Sequence, residues 1–561
     1  MTKSGTCLLP YVKGLELMSK TVSDLIIVGG KIATLDAENR FVSAIAIRDG
    51  RILLAGSDDD VQSTACVDTK VIDLAGQTAI PGLIDSHCHP DRYAVRLKSW
   101  VNVDPGQVAS REQLLATIST AARSRNRDDW IICYRFDNNK SGGYPTLEEM
   151  DSASDGRPLF IQRTDCHIGL ANSRAFEVSG LGADPVNPPF GQFDRDPVTG
   201  RLTGLARETA AEFFVTSIHA ADTPETIADG LEQVFNEWAS YGITSVYNSL
   251  AGRKSIEAYQ LMHQRNQLRM RVGMIVSGRE DGLVESYINA GIKSGFGNDM
   301  VRVIGVEWCP DCSTSGRTAA YYDPYVGVPV DGEPQPNTGI LLYEADDLQA
   351  RAVAAHKAGL QVMIEGVGDR GIDFALDAIE ACLQAKPVED HRMRVEHCCN
   401  VTPPILARLK KLAVIDSSAT GFMYDLGDAY IANRGQESMR HMWPHRSLID
   451  AGVPAPGHSD AMICQANPFL AMWSLVNRRT DTGKDLDASQ KISRVEALRA
   501  YTTLGAFSGR EEALKGSLEP GKLADIAILD RDFFDCPADD IRDIKVNTTI
   551  LGGQTVFERN I

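Results

Sequence analysis

The segment PGLIDSHCHPD, residues 81–91, places two histidines at the end of an apolar stretch. Side chains two positions apart on a strand point the same way, so His87 and His89 face one spot while Cys88 faces elsewhere. Imidazole is a common ligand for zinc, iron and similar metals. Active sites of parallel barrels lie at the carboxyl ends of the strands. The segment therefore predicts a metal centre at a strand end, and the competing interpretation is a chance histidine pair in a loop.

Alternating strand and helix patterns surround this segment. GITSVYN (242–248), VRVIGVEW (301–308) and LQVMIEGV (360–367) are typical of buried parallel strands. Helices are indicated after Thr223-Pro224, and Ser493 with Glu496 has the pattern of a capping box. A repeated strand–helix order over this length predicts an α/β fold, namely a (β/α)8 TIM barrel.

Both ends of the chain are rich in strand patterns. Near the N-terminus, Asp49-Gly50 joins two apolar runs, and this dipeptide is typical of tight hairpin turns. LADIAILD and TTILGGQTVFE are strand-like near the C-terminus. The region from about 91 to 214 fits the strand–helix rhythm poorly and predicts an inserted subdomain. The expected organisation is an N-terminal extension at 1–22, a β-sandwich composed of 23–80 and 515–561, and a barrel at 81–514.

Composition narrows the class of protein. The formal net charge of −18 disfavours binding to nucleic acid or to an anionic membrane surface. No stretch approaches the roughly 20 apolar residues of a membrane span, and the N-terminus lacks the apolar core of a signal peptide. The twelve cysteines have no disulfide-framework spacing. We therefore expect a cytoplasmic enzyme with a small-molecule substrate. For the oligomeric state, a homodimer is one possibility.

Later segments carry a resemblance to a known family. A β-module followed by PGLID-x-H-x-H resembles the amidohydrolase superfamily, and the rest resembles its family 3 branch, which contains N-substituted formamide deformylases. The match covers roughly residues 24–558. Four further segments are similar to the family motifs G-V-K-x-x-x-D-G, H-A-x-G-D-x-A-x, R-x-E-H and G-S-D: GVEWCPDCSTSGRTA, IEGVGDRGID, RVEHC and AGVPAPGHSDAMICQANPF. The resemblance implies a barrel with a β-sandwich and a centre of one or two divalent metal ions.

Carried over by position, the resemblance implies a ligand set. His87 and His89 would be metal ligands on the first strand, His397 on the sixth, and Asp460 at the end of the eighth. Asp460 would also be catalytic, orienting the attacking water and carrying its proton to the leaving group. The competing interpretations are a buried structural histidine for His397 and a turn or cap residue for Asp460.

Two positions depart from the family pattern. Glu307 replaces a lysine that is usually carbamylated, and Glu365 replaces the fifth-strand histidine. Both are expected to bind metal, although Glu307 could be a base outside the coordination sphere and Glu365 an ion-pair partner. With Asp460, three carboxylates would converge, and like charges raise each other's pKa unless cations are present. Zinc is the first expectation, and the oxygen-rich ligation also favours manganese or iron(II).

Five residues are secondary candidates. Asp165 and His167 resemble a D-G-H element of family 3 that reaches the substrate, and His167 would be catalytic by stabilising an oxyanion. Glu208 matches a family glutamate, Arg317 would bind a substrate anion, and Trp308 would line an aromatic pocket. Loop, surface and core positions are the alternatives for these side chains.

Hydrolysis of a non-peptide carbon–nitrogen bond in a small organic substrate, such as an amide or formamide, is the leading prediction. A metal-dependent decarboxylase or isomerase is the second class, because the altered fifth-strand position changes how water is presented. The third class is a non-catalytic descendant that binds a ligand. Retention of all four implied ligands speaks against it: His87, His89, His397 and Asp460.

Overall fold

A parallel sheet that curls into a barrel forms the centre of the computed structural model, which describes residues 22–329 and 333–560. The predicted N-terminal extension lies outside these residues, apart from Val22. Strands that follow one another along the chain are hydrogen-bonded neighbours in this sheet. Its seven strands, in chain order, are Leu83–Cys88, Ile243–Ala251, Arg271–Ser277, Val301–Trp308, Gln361–Gly366, Arg394–His397 and Ile415–Ser418.

An extended segment, residues 454–460, takes the place of the predicted eighth strand. Its Pro454 and Pro456 accept hydrogen bonds from N–H groups of the seventh strand. On the other side, the N–H of Asp460 donates to the carbonyl of His87 in the first strand. Because proline has no N–H, a regular ladder cannot form here. The segment therefore closes the barrel without forming a regular strand, and we call it the closing segment.

Helices pack around the barrel. The helix Pro224–Ala239 begins where Thr223 caps it, and Ser493 and Glu496 form the predicted capping box. In the described part of the chain, no helix is both long and apolar enough to cross a membrane. The helices of the barrel are Pro90–Ser99, Pro224–Ala239, Arg253–Gln264, Leu283–Asn289, Ala345–Ala358, Asp369–Ala385, Pro403–Leu412, Thr420–Asp425, Gly427–Arg434, His445–Ala451, Pro468–Asn477, Arg494–Ala500 and Thr503–Ser508.

Two further sheets contain strands from the chain ends. The predicted hairpin at Asp49-Gly50 joins Ala44–Arg48 to Arg51–Gly56. Residues 78–85, with the sequence TAIPGLID, belong to two strands, because Thr78–Pro81 pairs with a C-terminal strand and the barrel strand starts at Leu83. One sheet contains Leu25–Val28, Ala44–Arg48, Arg51–Gly56 and Lys70–Asp73, with the helix Asp58–Gln62 beside it. The other contains Lys31–Ala33, Phe41–Val42, Thr78–Pro81, Ile526–Leu529, Val546–Leu551 and Gln554–Glu558.

A separate six-stranded sheet lies within the region where we expected an insertion at about 91–214. The inserted region begins after residue 99 rather than at about 91, because the helix Pro90–Ser99 belongs to the barrel and packs on the helix Pro224–Ala239. Gly230 permits this packing, since a Cβ there would lie 2.5 Å from the carbonyl oxygen of Ala94. The strands of this sheet are Val101–Asn102, Ile131–Phe136, Leu159–Arg163, Ile168–Ala171, Gly191–Arg195 and Leu202–Glu208. Its helices are Arg111–Arg123, Leu147–Ser154, Ser173–Val178 and Thr209–His219.

A buried ion pair joins the barrel to the C-terminal strands. Arg271 Nε and Nη2 donate to the two carboxylate oxygens of Asp525 at 2.7 and 2.8 Å. We expect Arg271→Met to lower the free energy of unfolding by about 3–5 kcal/mol, because it leaves a buried carboxylate without its cation. Urea denaturation measures this change. The exposed pair Lys98–Asp229 is the control, and Lys98→Met there should lower it by less than about 1 kcal/mol. Equal losses at the two sites would contradict the expectation.

Candidate metal centre

Three of the implied ligands meet where the first strand and the closing segment end. Asp460 Oδ1 lies 3.1 Å from His89 Nε2 and 3.5 Å from His87 Nε2, and all three side chains are buried. His89 Nδ1 lies 3.1 Å from the carbonyl oxygen of Ser249, so it carries the proton and leaves Nε2 free. His87 Nε2 and Asp460 Oδ1 have no hydrogen-bond partner among the described residues. Free nitrogen and oxygen atoms facing one another in this way suit a cation.

His397 and Glu365 form a second group beside the first. His397 Nε2 lies 3.6 Å from Glu365 Oε1, and its ring centroid lies 4.7 Å from that of His87. One ligand atom each from His87, Glu365 and His397 lie within 4.8 Å of one another, and so do those of His87, His89 and Asp460. Because His87 belongs to both groups, the arrangement has room for one ion or for two neighbouring ions.

Glu307 is buried next to these groups but belongs to neither of them. Its Oε2 accepts a hydrogen bond from the Ser249 hydroxyl at 2.6 Å, and its Oε1 lies 3.8 Å from His87 Nδ1. Burial raises the pKa of Glu307 to about 8, even though the nearby His87 opposes this. Its Oε1 has no hydrogen-bond partner among the described residues, so metal binding by Glu307 stays a prediction, as does the alternative of a base outside the coordination sphere.

Glu396 is a site residue that the sequence reasoning did not single out. Its Oε2 accepts a hydrogen bond from His87 Nδ1 at 2.8 Å, and Arg394 donates to both of its oxygens at 2.6 Å. A carboxylate on the far nitrogen fixes the tautomer of a metal-binding histidine and makes the other nitrogen a better ligand. The spacing of Arg394 and Glu396 was an available signal, because side chains two apart on a strand share a face.

The closing segment is attached directly to the first strand. Ser459 donates to the carboxylate of Asp85 through its N–H, at 3.1 Å, and through its hydroxyl. The ring of His458 stacks on that of His87 with centroids 4.8 Å apart. Asp460 itself has a φ of 54°, a left-handed conformation that non-glycine residues rarely adopt. Such strain is common at functional sites, and here it places the carboxylate beside the histidines.

The charges in this cluster suit a divalent cation. Burial alone would raise the pKa of Asp460, yet the neighbouring histidines, His397 foremost, hold it well below its usual range. Burial would lower the pKa of His87, but Glu307 and Asp460 raise it well above its usual value. Protonated histidines thus balance the carboxylates here, and a divalent cation can do so instead. The unpaired donor atoms and this charge balance fit zinc, manganese or iron(II).

A pocket lies over the two groups, and most of the secondary candidates line it. The pocket wall includes Asp165, His167 and Glu208. Glu208 Oε2 accepts a hydrogen bond from His167 Nδ1 at 2.8 Å, and Asp165 is paired with Arg163 at 2.6 Å. Burial would lower the pKa of His167, but Glu208 raises it to about 9. His167 is therefore a protonated donor at neutral pH.

Arg317 and Trp308 do not line this pocket. The Arg317 guanidinium binds the carboxylate of Glu333 at 2.7 and 2.8 Å, which leaves it no role in binding a substrate anion here. Trp308 is buried in the barrel core, next to Gly278. Two arginines that the sequence reasoning did not single out, Arg92 and Arg96, do line the pocket. The two arginines are four residues apart in the helix that follows the histidine pair, and this spacing was the available signal in the sequence.

Comparisons with known proteins agree with this fold and centre. The sequence model of the amidohydrolase family, Amidohydro_3, matches residues 70–557. The chain is 28% identical to the N-substituted formamide deformylase of Arthrobacter pascens, over 96% of this chain and 98% of that protein. It is 26% identical to Protein LONG AFTER FAR-RED 3 of Arabidopsis thaliana, over 97% and 94%. An uncharacterized metal-dependent hydrolase from Pyrococcus horikoshii OT3 aligns with a TM-score of 0.73 and 25% identity, over 92% and 99%.

The protein is thus an α/β barrel hydrolase with a centre built for a divalent metal. The chain belongs to the amidohydrolase family. It is a metal-dependent hydrolase that acts on carbon–nitrogen bonds other than peptide bonds.

Proposed function

We propose that the protein hydrolyses the carbon–nitrogen bond of an amide or formamide in a small organic compound, with zinc as the metal. The convergence of His87, His89 and Asp460 supports this proposal most strongly. These three side chains could hold the ion, the facing atoms of His87 and Asp460 are buried and unpaired, and His397 with Glu365 extends the site. The similarity to a deformylase of N-substituted formamides favours the same substrate class.

A bound divalent cation supplies Lewis acidity, which activates water and polarises a carbonyl group. With Oδ1 of Asp460 directed toward the histidines and the ion they would hold, the base is the second oxygen of this carboxylate. It accepts a proton from the attacking water and passes it to the nitrogen as the carbon–nitrogen bond breaks. One water is consumed, and the products are a carboxylic acid and an amine.

His167 lines the same pocket as His89 and Asp460. Its Nδ1 donates to Glu208, so its Nε2–H is the group left to donate to a substrate. A protonated imidazole stabilises the negative oxygen that develops when water adds to the carbonyl. Glu208 keeps this imidazole charged and oriented, and is a positioning residue.

The rate should fall on the alkaline side as His167 loses its proton. The pKa of His167 is raised to about 9, so the donor is complete below this pH and lost above it. We expect His167→Asn to lower kcat by about 10²-fold at pH 7 and to remove the decline centred near pH 9. A kcat–pH profile from pH 6 to 10 measures both effects. An unchanged alkaline limb in this variant would contradict the role.

Screening of the metal-loaded enzyme tests the reaction class. N-substituted formamides and simple amides are incubated with enzyme, and the released amine and acid are quantified by chromatography. Amine and acid should appear in equal amounts. Release of carbon dioxide without amine would replace hydrolysis with decarboxylation, and rearrangement of the substrate would indicate an isomerase.

A further inference from the structure

The pocket over the metal centre contains both signs of charge, and most of these charges are paired. Arg279 forms an ion pair with Glu212, and Glu208 accepts from His167. Two positive groups of the pocket have no carboxylate partner within ion-pair distance among the described residues: Arg92 and Arg96. They lie directly after the histidine pair, in the helix Pro90–Ser99.

Arg96 is a buried cation held in one position. Only 1% of the residue is exposed, and Nε and Nη2 both donate to the side-chain oxygen of Gln162, at 3.1 and 2.6 Å. The guanidinium lies 4.7 Å from the ring centroid of Trp100. Its Nη1 has no partner in the described structure. Burial lowers the pKa of Arg96 to about 10, although the nearby Asp91 opposes this shift, so the charge persists at neutral pH.

Arg92 adds a second positive charge on the same side of the helix. Residues four apart in a helix are neighbours on its surface, so Arg92 and Arg96 place two positive charges side by side. Both arginines line the same pocket as His89 and Asp460, and Arg92 is the more exposed of the two. The two arginines are therefore the part of the pocket that suits a single negative charge, because the rest of the wall carries five carboxylates, several of them paired with cations: Asp165, Glu208, Glu212, Glu365 and Asp460.

We propose that Arg96, assisted by Arg92, binds a carboxylate of the substrate, so that the enzyme acts on amides or formamides whose nitrogen substituent is a monoanion. This inference rests on the proposed function and narrows its substrate class. A guanidinium held by Gln162 and Trp100 has lost its freedom before binding, so little entropy is lost when a carboxylate arrives. Charge-assisted hydrogen bonds to a carboxylate are among the strongest available in such a site.

A matched pair of substrates tests the inference. N-formylphenylalanine and N-(2-phenylethyl)formamide differ only in the carboxylate. We expect kcat/KM of the metal-loaded wild type to be at least 30-fold higher for the acid. Arg96→Gln should reduce this preference at least tenfold, whereas Arg96→Lys, which keeps the charge, should retain most of it. Arg92→Gln, at a less buried position, provides a second variant if Arg96→Gln does not fold.

Calorimetric binding of 3-phenylpropionate and 3-phenylpropanol separates anion recognition from catalysis. The carboxylate should bind wild type at least tenfold more tightly than Arg96→Gln, and the alcohol should bind both with similar affinity. If only the neutral formamide is hydrolysed and 3-phenylpropionate binds wild type and Arg96→Gln equally, the anion site is wrong and the hydrolase proposal stands. If neither formamide is hydrolysed but the carboxylate binds through Arg96, the anion site stands and the formamide proposal fails.

Discussion

Replacing Asp460 with asparagine should lower kcat for amide hydrolysis by about 10³–10⁴-fold. Asparagine keeps the size of the side chain but cannot take up the proton of the attacking water. Oδ1 of Asp460 lies 3.1 Å from His89 Nε2, and the residue lines the pocket over the metal centre. Steady-state kinetics on the best formamide, at equal metal loading, measures the effect.

A second carboxylate serves as the control for Asp460. Asp425 accepts hydrogen bonds from the backbone and side chain of Gln465 and belongs to neither of the two ligand groups. Asp425→Asn should change kcat by less than about threefold, as is usual for residues away from the chemistry. An Asp460→Asn enzyme that keeps its metal and loses less than tenfold in kcat would refute the proton-transfer role.

Replacing His89 with alanine should remove the metal and, with it, the activity. His89 presents Nε2 to Asp460 because its Nδ1 is bound to the Ser249 carbonyl. Loss of an outer partner already lowers metal affinity by about 10–100-fold, and loss of a direct ligand should lower it further. Elemental analysis after dialysis should find less than about 0.1 metal per chain.

Two other variants complete this series. Glu396→Gln should weaken metal binding by about 10–100-fold, because His87 Nδ1 loses its carboxylate but His87 stays in place. His263→Ala removes an exposed histidine and should leave metal content and kcat as in the wild type. If His89→Ala retains a full complement of metal, the ligand assignment is wrong.

Much of the fold could be predicted because the strand and helix patterns are local. The turn at Asp49-Gly50, the capping box at Ser493 and the parallel strands depend on neighbouring residues only. The division of TAIPGLID between two sheets depends on a long-range partner, the strand Ile526–Leu529, and cannot be read from the run itself. The eighth strand is irregular for a reason visible in the sequence, since Pro454 and Pro456 cannot donate to a ladder.

Neighbouring residues of the candidate site could be predicted from the sequence where their spacing along a strand determines which way the side chains point. His87 and His89, two apart on a strand, lie together in the structure, and Asp460 lies beside them. Arg317 could not be placed, because its partner Glu333 lies 16 positions away in a loop. Arg96 is four residues after Arg92 in the sequence, but only the structure reveals that its guanidinium is buried at the pocket wall without an ion-pair partner among the described residues. Long-range charge pairing therefore marks the limit of the sequence-based prediction.

Anomalous X-ray scattering from a crystal of the zinc-loaded protein tests the central claim most directly. Data collected on both sides of the zinc absorption edge should show a peak bonded to His87 Nε2, His89 Nε2 and Asp460 Oδ1, with His397 adjacent. No peak at these atoms, or a peak only at a distant surface site, would contradict the metal centre on which the proposed hydrolysis depends.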